Sequence, residues 1–246
     1  MEVKADSAGR LHDLLEVAAK QNDGKSAREV FGLIFNVDCN DNESILRLLA
    51  DVINLSYQTK NRIRALDDVD HALYLRPFGN IEKVLSAVNL DASWKAYKPL
   101  LDETTLYGLK FCSDKLSRIE NVSSIENSVL EEIQNELNTL VEKILKSNLN
   151  QELKSLLISN LEELRQAIVA FRVRGIEGIE RGVEICLGSI VVNKDKIKSQ
   201  ADDKDVGWSI KSYFAILDVV NKTVSAAKGV KELGVHNIAN NLLGNG

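Results

Sequence analysis

From Ser124 to Asn193 apolar residues recur every three or four positions, and few folds other than paired long helices can use such a run. In the first arm Ile125, Val129, Ile133, Leu137, Leu140 and Ile144 fall on one helical face, with Glu131, Glu132, Glu136, Glu142 and Lys143 on the others. Ser123 and Glu126 have the spacing of a capping box, in which a hydroxyl and a carboxylate satisfy open amides at a helix start. After the polar break Ser147-Asn148-Leu149-Asn150 the pattern resumes as Leu153, Leu157, Leu161, Leu164, Ile168 and Phe171. So short a break predicts two antiparallel arms, a helical hairpin over about 124–192.

Continued to Val192, the second arm would span about 64 Å against about 37 Å for the first, at about 1.5 Å per residue. Its far half would overhang the partner. On that overhang Gly175, Gly178, Gly182, Cys186 and Ser189 form a stripe of small residues, beside an apolar row of Ile176, Ile179, Val183, Leu187 and Ile190. Three glycines inside a helix cost about 2.5 to 3 kcal/mol relative to alanine, so the stripe needs a compensating contact. Three arrangements would supply or remove that need: packing by this chain's own C-terminal helices, which is the leading expectation, a break near Gly175, or close approach of a helix from a second molecule.

Elsewhere the chain reads as shorter helices. Leu11, Leu14, Leu15 and Ala18 give the first, ended by Asn22-Asp23-Gly24. Ser26 with Glu29 is a second capping box, ahead of the apolar run Val30–Phe35. A helix is expected from Glu43 to about Leu66, with Lys60, Arg62 and Arg64 at its C-terminal end, where cations are favourable. Pro77–Asn80 reads as a turn, Ile81, Val84, Leu85 and Val88 as a short helix, and Asp102 as the cap of another. The mixed-charge stretch from Asn193 to Asp205 reads as an exposed loop or frayed helix. Beyond it Ile210, Phe214, Leu217, Val220 and Val224 mark a helix expected to end at Gly234, before a last amphipathic turn. The expected fold is all-α, a multi-helix bundle. It divides into an N-terminal helical part (1–122) and the hairpin with its C-terminal helices (123–246), or forms one continuous domain.

Functional chemistry is sparse. There is no P-loop, no GxGxxG after a strand, no GxSxG elbow and no kinase signature. Asp67, Asp68, Asp70 and His71 are metal-ligand types, but they lack the glycine and terminal glutamate of an EF-hand, and acidic residues before a helix need no metal. No cofactor and no metal site is expected. Cys39, Cys112 and Cys186 are scattered, without CxxC spacing, which fits a reducing compartment. The N-terminal Met-Glu-Val-Lys-Ala-Asp-Ser lacks the apolar core of a leader, and a net charge of −5 points away from general binding to nucleic acid or anionic lipid. A cytoplasmic protein is the expectation.

Trp94, Tyr97 and Trp208 are the aromatic candidates for interface anchors, with core positions the leading expectation for Trp94 and Tyr97. The leading expectation is a non-catalytic helical protein working through protein contacts, as homo-oligomer, adaptor or regulatory subunit. A soluble protein that turns membrane-active through 175–192 and 214–243 is the alternative, opposed by Glu177, Glu180 and Glu184. An enzyme of unrecognised type would need a cysteine, a histidine and a carboxylate assembled in one pocket.

Overall fold

A computed structural model describes residues 4–86, 89–119, 125–198 and 204–243. Among them the fold is all-α: twelve α-helices, two single 3₁₀ turns and one isolated bridge between Ser26 and Ser93. The chain separates into two compact units. An N-unit comprises Lys4–Val122 together with the distant tetrapeptide Arg172–Gly175; a C-unit takes Ser123–Phe171 and Ile176–Gly246.

In the N-unit α1 (Ser7–Ala19) is the central element, packed against α2 (Ala27–Phe35), α3 (Asn42–Arg64) and α6 (Glu103–Ser117). Its Ala8, Leu11, Leu14, Leu15 and Ala18 make one buried face, and Ser7, Arg10 and His12 are buried as well, as a helix surrounded by others requires. Asp6 caps it, accepting from the Gly9 amide at 2.7 Å, and its second oxygen accepts from the Ser113 hydroxyl of α6 at 2.9 Å. The Ser26–Glu29 box forms in full at the start of α2. Asp41 and Asp102 cap α3 and α6. Between α3 and α6 lie α4 (His71–Leu75) and α5 (Phe78–Leu85). Of the stretch Pro77–Asn80, expected as a turn, Phe78, Gly79 and Asn80 already belong to α5 and Pro77 is its N-cap, where a missing amide donor costs little.

The C-unit contains α7 (Asn127–Lys146), α8 (Gln151–Val169), most of α9 (Phe171–Val192), α10 (Lys194–Lys198), α11 (Lys204–Lys228) and α12 (Val235–Leu243). Asn150 caps α8 through the Leu153 amide, and the Lys154 ammonium reaches back to the carbonyls of Leu145 and Ser147, closing the α7–α8 turn. Glu126, expected as one half of a capping box, is the N-cap of α7 and makes no side-chain cap bond; its expected partner Ser123 lies outside the described residues.

The expected long second arm is corrected. Its first helix stops at Val169, and Gly175 is non-helical, with φ 66° and ψ −163°. Beyond it α9 folds back along α8: Gly182 meets Leu164 and Ala167, Cys186 meets Asn160, and Lys196, past the end of α9, pairs with Glu152. Residue numbers fall along α8 as they rise along α9, so the two are antiparallel. A continuous arm would have left Ile176, Ile179, Val183 and Ile190 in water, whereas reversal buries them.

The α11 helix runs antiparallel to α9, with Tyr213 at Cys186 and Lys228 at Glu180, and it also packs on α7. The result is a ring of four helices in the order α7, α8, α9, α11, an up-down-up-down bundle. Its core is the apolar periodicity of the four helices, including Leu137, Ile144, Leu157, Leu161, Ile179, Ile190, Ile210 and Leu217. Gly229, with φ 63°, follows the last residue of α11, five positions before the expected stop at Gly234. In the mixed-charge stretch Lys194–Lys198 is helical and Ile197 is buried; residues 199–203 lie outside the described ones.

Candidate functional site

The small-residue stripe is divided, and only its middle, Gly182 and Cys186, is an internal contact of the bundle. A Cβ built on Gly182 would lie 3.2 Å from the Cβ of Ala167, so glycine permits the close approach of α9 to α8. Cys186 is fully buried and its thiol donates to the Asn160 carbonyl at 3.2 Å; Gly178 and Ser189 are half-buried. Gly175 belongs elsewhere. It is buried in the N-unit, where the Arg10 guanidinium fills the space its Cβ would occupy, beside Val173 in the N-unit core and Arg174, which is paired with Asp51 at 2.9 Å.

The three aromatic candidates divide in the same way. Trp94 is wholly buried, its indole N–H donates to the Ala18 carbonyl at 3.0 Å, and Phe31 meets its ring edge to face. Tyr97 leans on Trp94 with ring centroids 5.7 Å apart. Both belong to the N-unit core. Trp208 remains 43% exposed on α11, at the end of an open groove of about 380 Å³ between α7 and α11.

Asn135, Glu136, Thr139, Leu140 and Lys143 line one wall, and Trp208, Ser212, Ala215 and Ile216 the other. The Lys143 ammonium lies 5.8 Å from the Trp208 ring centroid, within reach of a cation–π attraction. Since α7 and α11 both border the seam, Lys143 with Trp208 marks one end, and Glu136 two turns earlier on α7 marks the other. The floor is apolar and the two ends carry opposite charges. Such a groove can bury a side chain and fix its orientation. Along α11 the positions 208, 212, 215 and 219 share the outward face, and their Trp, Ser, Ala and Val content is the signal that sequence reading can use for more than Trp208.

Chemistry of other kinds finds little support in the side chains. Burial, reinforced by the Asp6 carboxylate, pushes the Cys112 thiol up to about 12, and burial pushes Cys186 up to about 11, so neither is a poised nucleophile. Burial likewise raises the Tyr213 phenol. Cys39 borders a groove with Lys25, Glu29 and Asp38, and no histidine lines it. His12 pairs with Asp13 at 3.1 Å and the ring of His71 meets the Leu66 carbonyl; the His236 side chain lies outside the described residues.

The acidic cluster before α4 is structural in its contacts. Asp70 caps the helix, and a hydrogen bond from Lys115 holds the Asp68 carboxyl below its usual range. Among the described residues no group of three or more His, Cys, Asp and Glu is placed to hold a metal, and no helix is long and apolar enough to cross a membrane. No family model, no curated protein and no solved structure matches the chain.

Proposed function

We propose that this chain is a non-catalytic helical protein that acts through protein–protein contacts, and that the α7–α11 seam is its docking face. The observation that carries the reading is Trp208, a tryptophan left 43% exposed at one end of an apolar groove. Covering what remains of an aromatic of roughly 250 Å² removes about 100 Å² from water, worth about 2.5 kcal/mol. Tryptophan is also the residue type most enriched among the few that dominate binding energy. Three free cysteines, two of them buried, suit a reducing compartment such as the cytosol.

A second apolar surface in the N-unit, Leu46, Ile53 and Tyr57 along α3, opens on a groove of about 190 Å³. It is smaller and has no tryptophan at its centre. Native mass spectrometry of the gently purified protein tests the reading. Wild type is expected as a discrete complex, with itself or another chain, that Trp208→Ala loses while keeping its helix content. A bare monomer for wild type, or a complex indifferent to Trp208→Ala, would oppose it.

A further inference from the structure

The charges at the two ends of the seam suggest what fills it. Glu136 and Lys143 lie on the same face of α7, two turns or about 10.5 Å apart, and both border the groove. Both are exposed, and among the described residues neither is engaged in an ion pair; Lys143 has the Trp208 ring as its neighbour. One negative and one positive end, equally distant from a midpoint at Thr139 and Leu140, form a pattern complementary to itself when turned by a half-rotation.

We propose that a second copy of this chain occupies the seam in a two-fold arrangement. This rests on the reading of the seam as a docking face and adds the identity of the occupant. Two α7 helices cross antiparallel with the axis near Thr139 and Leu140. Lys143 of each copy then meets Glu136 of the other, as an isologous interface demands: where one residue contacts a second, the second contacts the first. Trp208, at the Lys143 end, comes to lie over Ala215 and Ile216 at the Glu136 end of the other copy, so each tryptophan is covered by the apolar part of the opposite seam. Thr139 at the axis is a modest side chain that allows the helices to approach.

A generic apolar partner would not require this placement of charge. An unrelated acidic or basic peptide would meet repulsion at one of the two ends. The self-complementary register satisfies both ends at once, and like-charge juxtaposition disfavours the alternatives.

Sedimentation velocity of the full chain at low salt, across micromolar concentrations, tests the proposal with charge exchanges at exposed positions that leave the bundle core untouched. Wild type is expected to pass from monomer to dimer as concentration rises. Lys143→Glu and Glu136→Lys each turn two attractive cross-pairs into repulsive ones and are expected to weaken the dimer on the order of tenfold or more. Mixing the two single variants restores it as a heterodimer, and the double variant Lys143→Glu/Glu136→Lys restores it as a homodimer.

A wild-type chain that stays monomeric while a photo-reactive group at position 208 cross-links to a different protein would overturn the second copy and leave the docking face standing. A dimer indifferent to the charge exchanges and to Trp208→Ala would overturn both. Circular dichroism on every variant keeps loss of association distinct from loss of fold.

Discussion

Gly182 of α9 and Ala167 of α8 touch so closely that a Cβ on the glycine would stand 3.2 Å from the Cβ of the alanine. That contact puts the middle of the small-residue stripe, Gly182 and Cys186, in the bundle interior. Gly182→Leu forces a branched side chain into this space and is expected to cost about 2 to 3 kcal/mol by overpacking. The urea midpoint should fall, and at concentrations where both are folded the oligomeric state should match wild type. A loss of association without loss of stability would return the stripe to the outside of the molecule.

Glycines of this chain should respond in opposite directions. Gly175 has φ 66° and ψ −163°, a conformation that side chains avoid, and the Arg10 guanidinium stands in the way of a Cβ. Gly175→Ala is expected to destabilise by at least about 2 kcal/mol. Gly188 sits inside α9 with open space around it, so Gly188→Ala is expected to stabilise by about 0.5 to 1 kcal/mol. Denaturation curves of the two variants beside wild type check both signs.

The helical period made most of this fold legible. It located the apolar faces of α3, α7, α8 and α11, and the Ser26–Glu29 box and Asp102 marked starts that the structure keeps. What it could not carry was the path of the chain past Val169, because a period is the same in a straight helix and in one that reverses. At the reversal the space beside Gly175 is filled by Arg10, more than 160 positions away in sequence. The groove between α7 and α11 was half legible for a related reason. Trp208 stands out by composition alone, whereas Glu136, Leu140 and Lys143 join it only through the pairing of α7 with α11.

Thiol chemistry gives a pH-dependent prediction. With Cys112 raised to about 12 and Cys186 to about 11, both thiols stay protonated and unreactive at pH 8. A disulfide-exchange reagent should therefore modify native protein rapidly at Cys39 alone and reach the other two after unfolding.

Both thiols also link stability to alkaline pH. Below their ordinary value of 9.0 the folded and unfolded thiols are alike protonated, and their contribution is complete. As pH rises further, the unfolded state releases protons that the folded state retains, so stability falls, by at most about 1.4 kcal/mol per pH unit for each thiol. For Cys186 the loss runs from about 9 to about 11. The stability difference between wild type and Cys186→Ala should shrink across that window; a difference independent of pH would contradict the burial.

A docking role for the α7–α11 seam requires that the surface under Trp208 be occupied when the protein works. A photo-reactive amino acid placed at position 208 of the full chain, irradiated in the cell that produces it, tests this most directly, with the same substitution at exposed Glu131 as control. Position 208 is expected to give one discrete cross-linked species, of twice the chain mass and with the bond in the α7–α11 seam of the second copy, and position 131 none. No cross-link from position 208, or the same diffuse products from both positions, would contradict it.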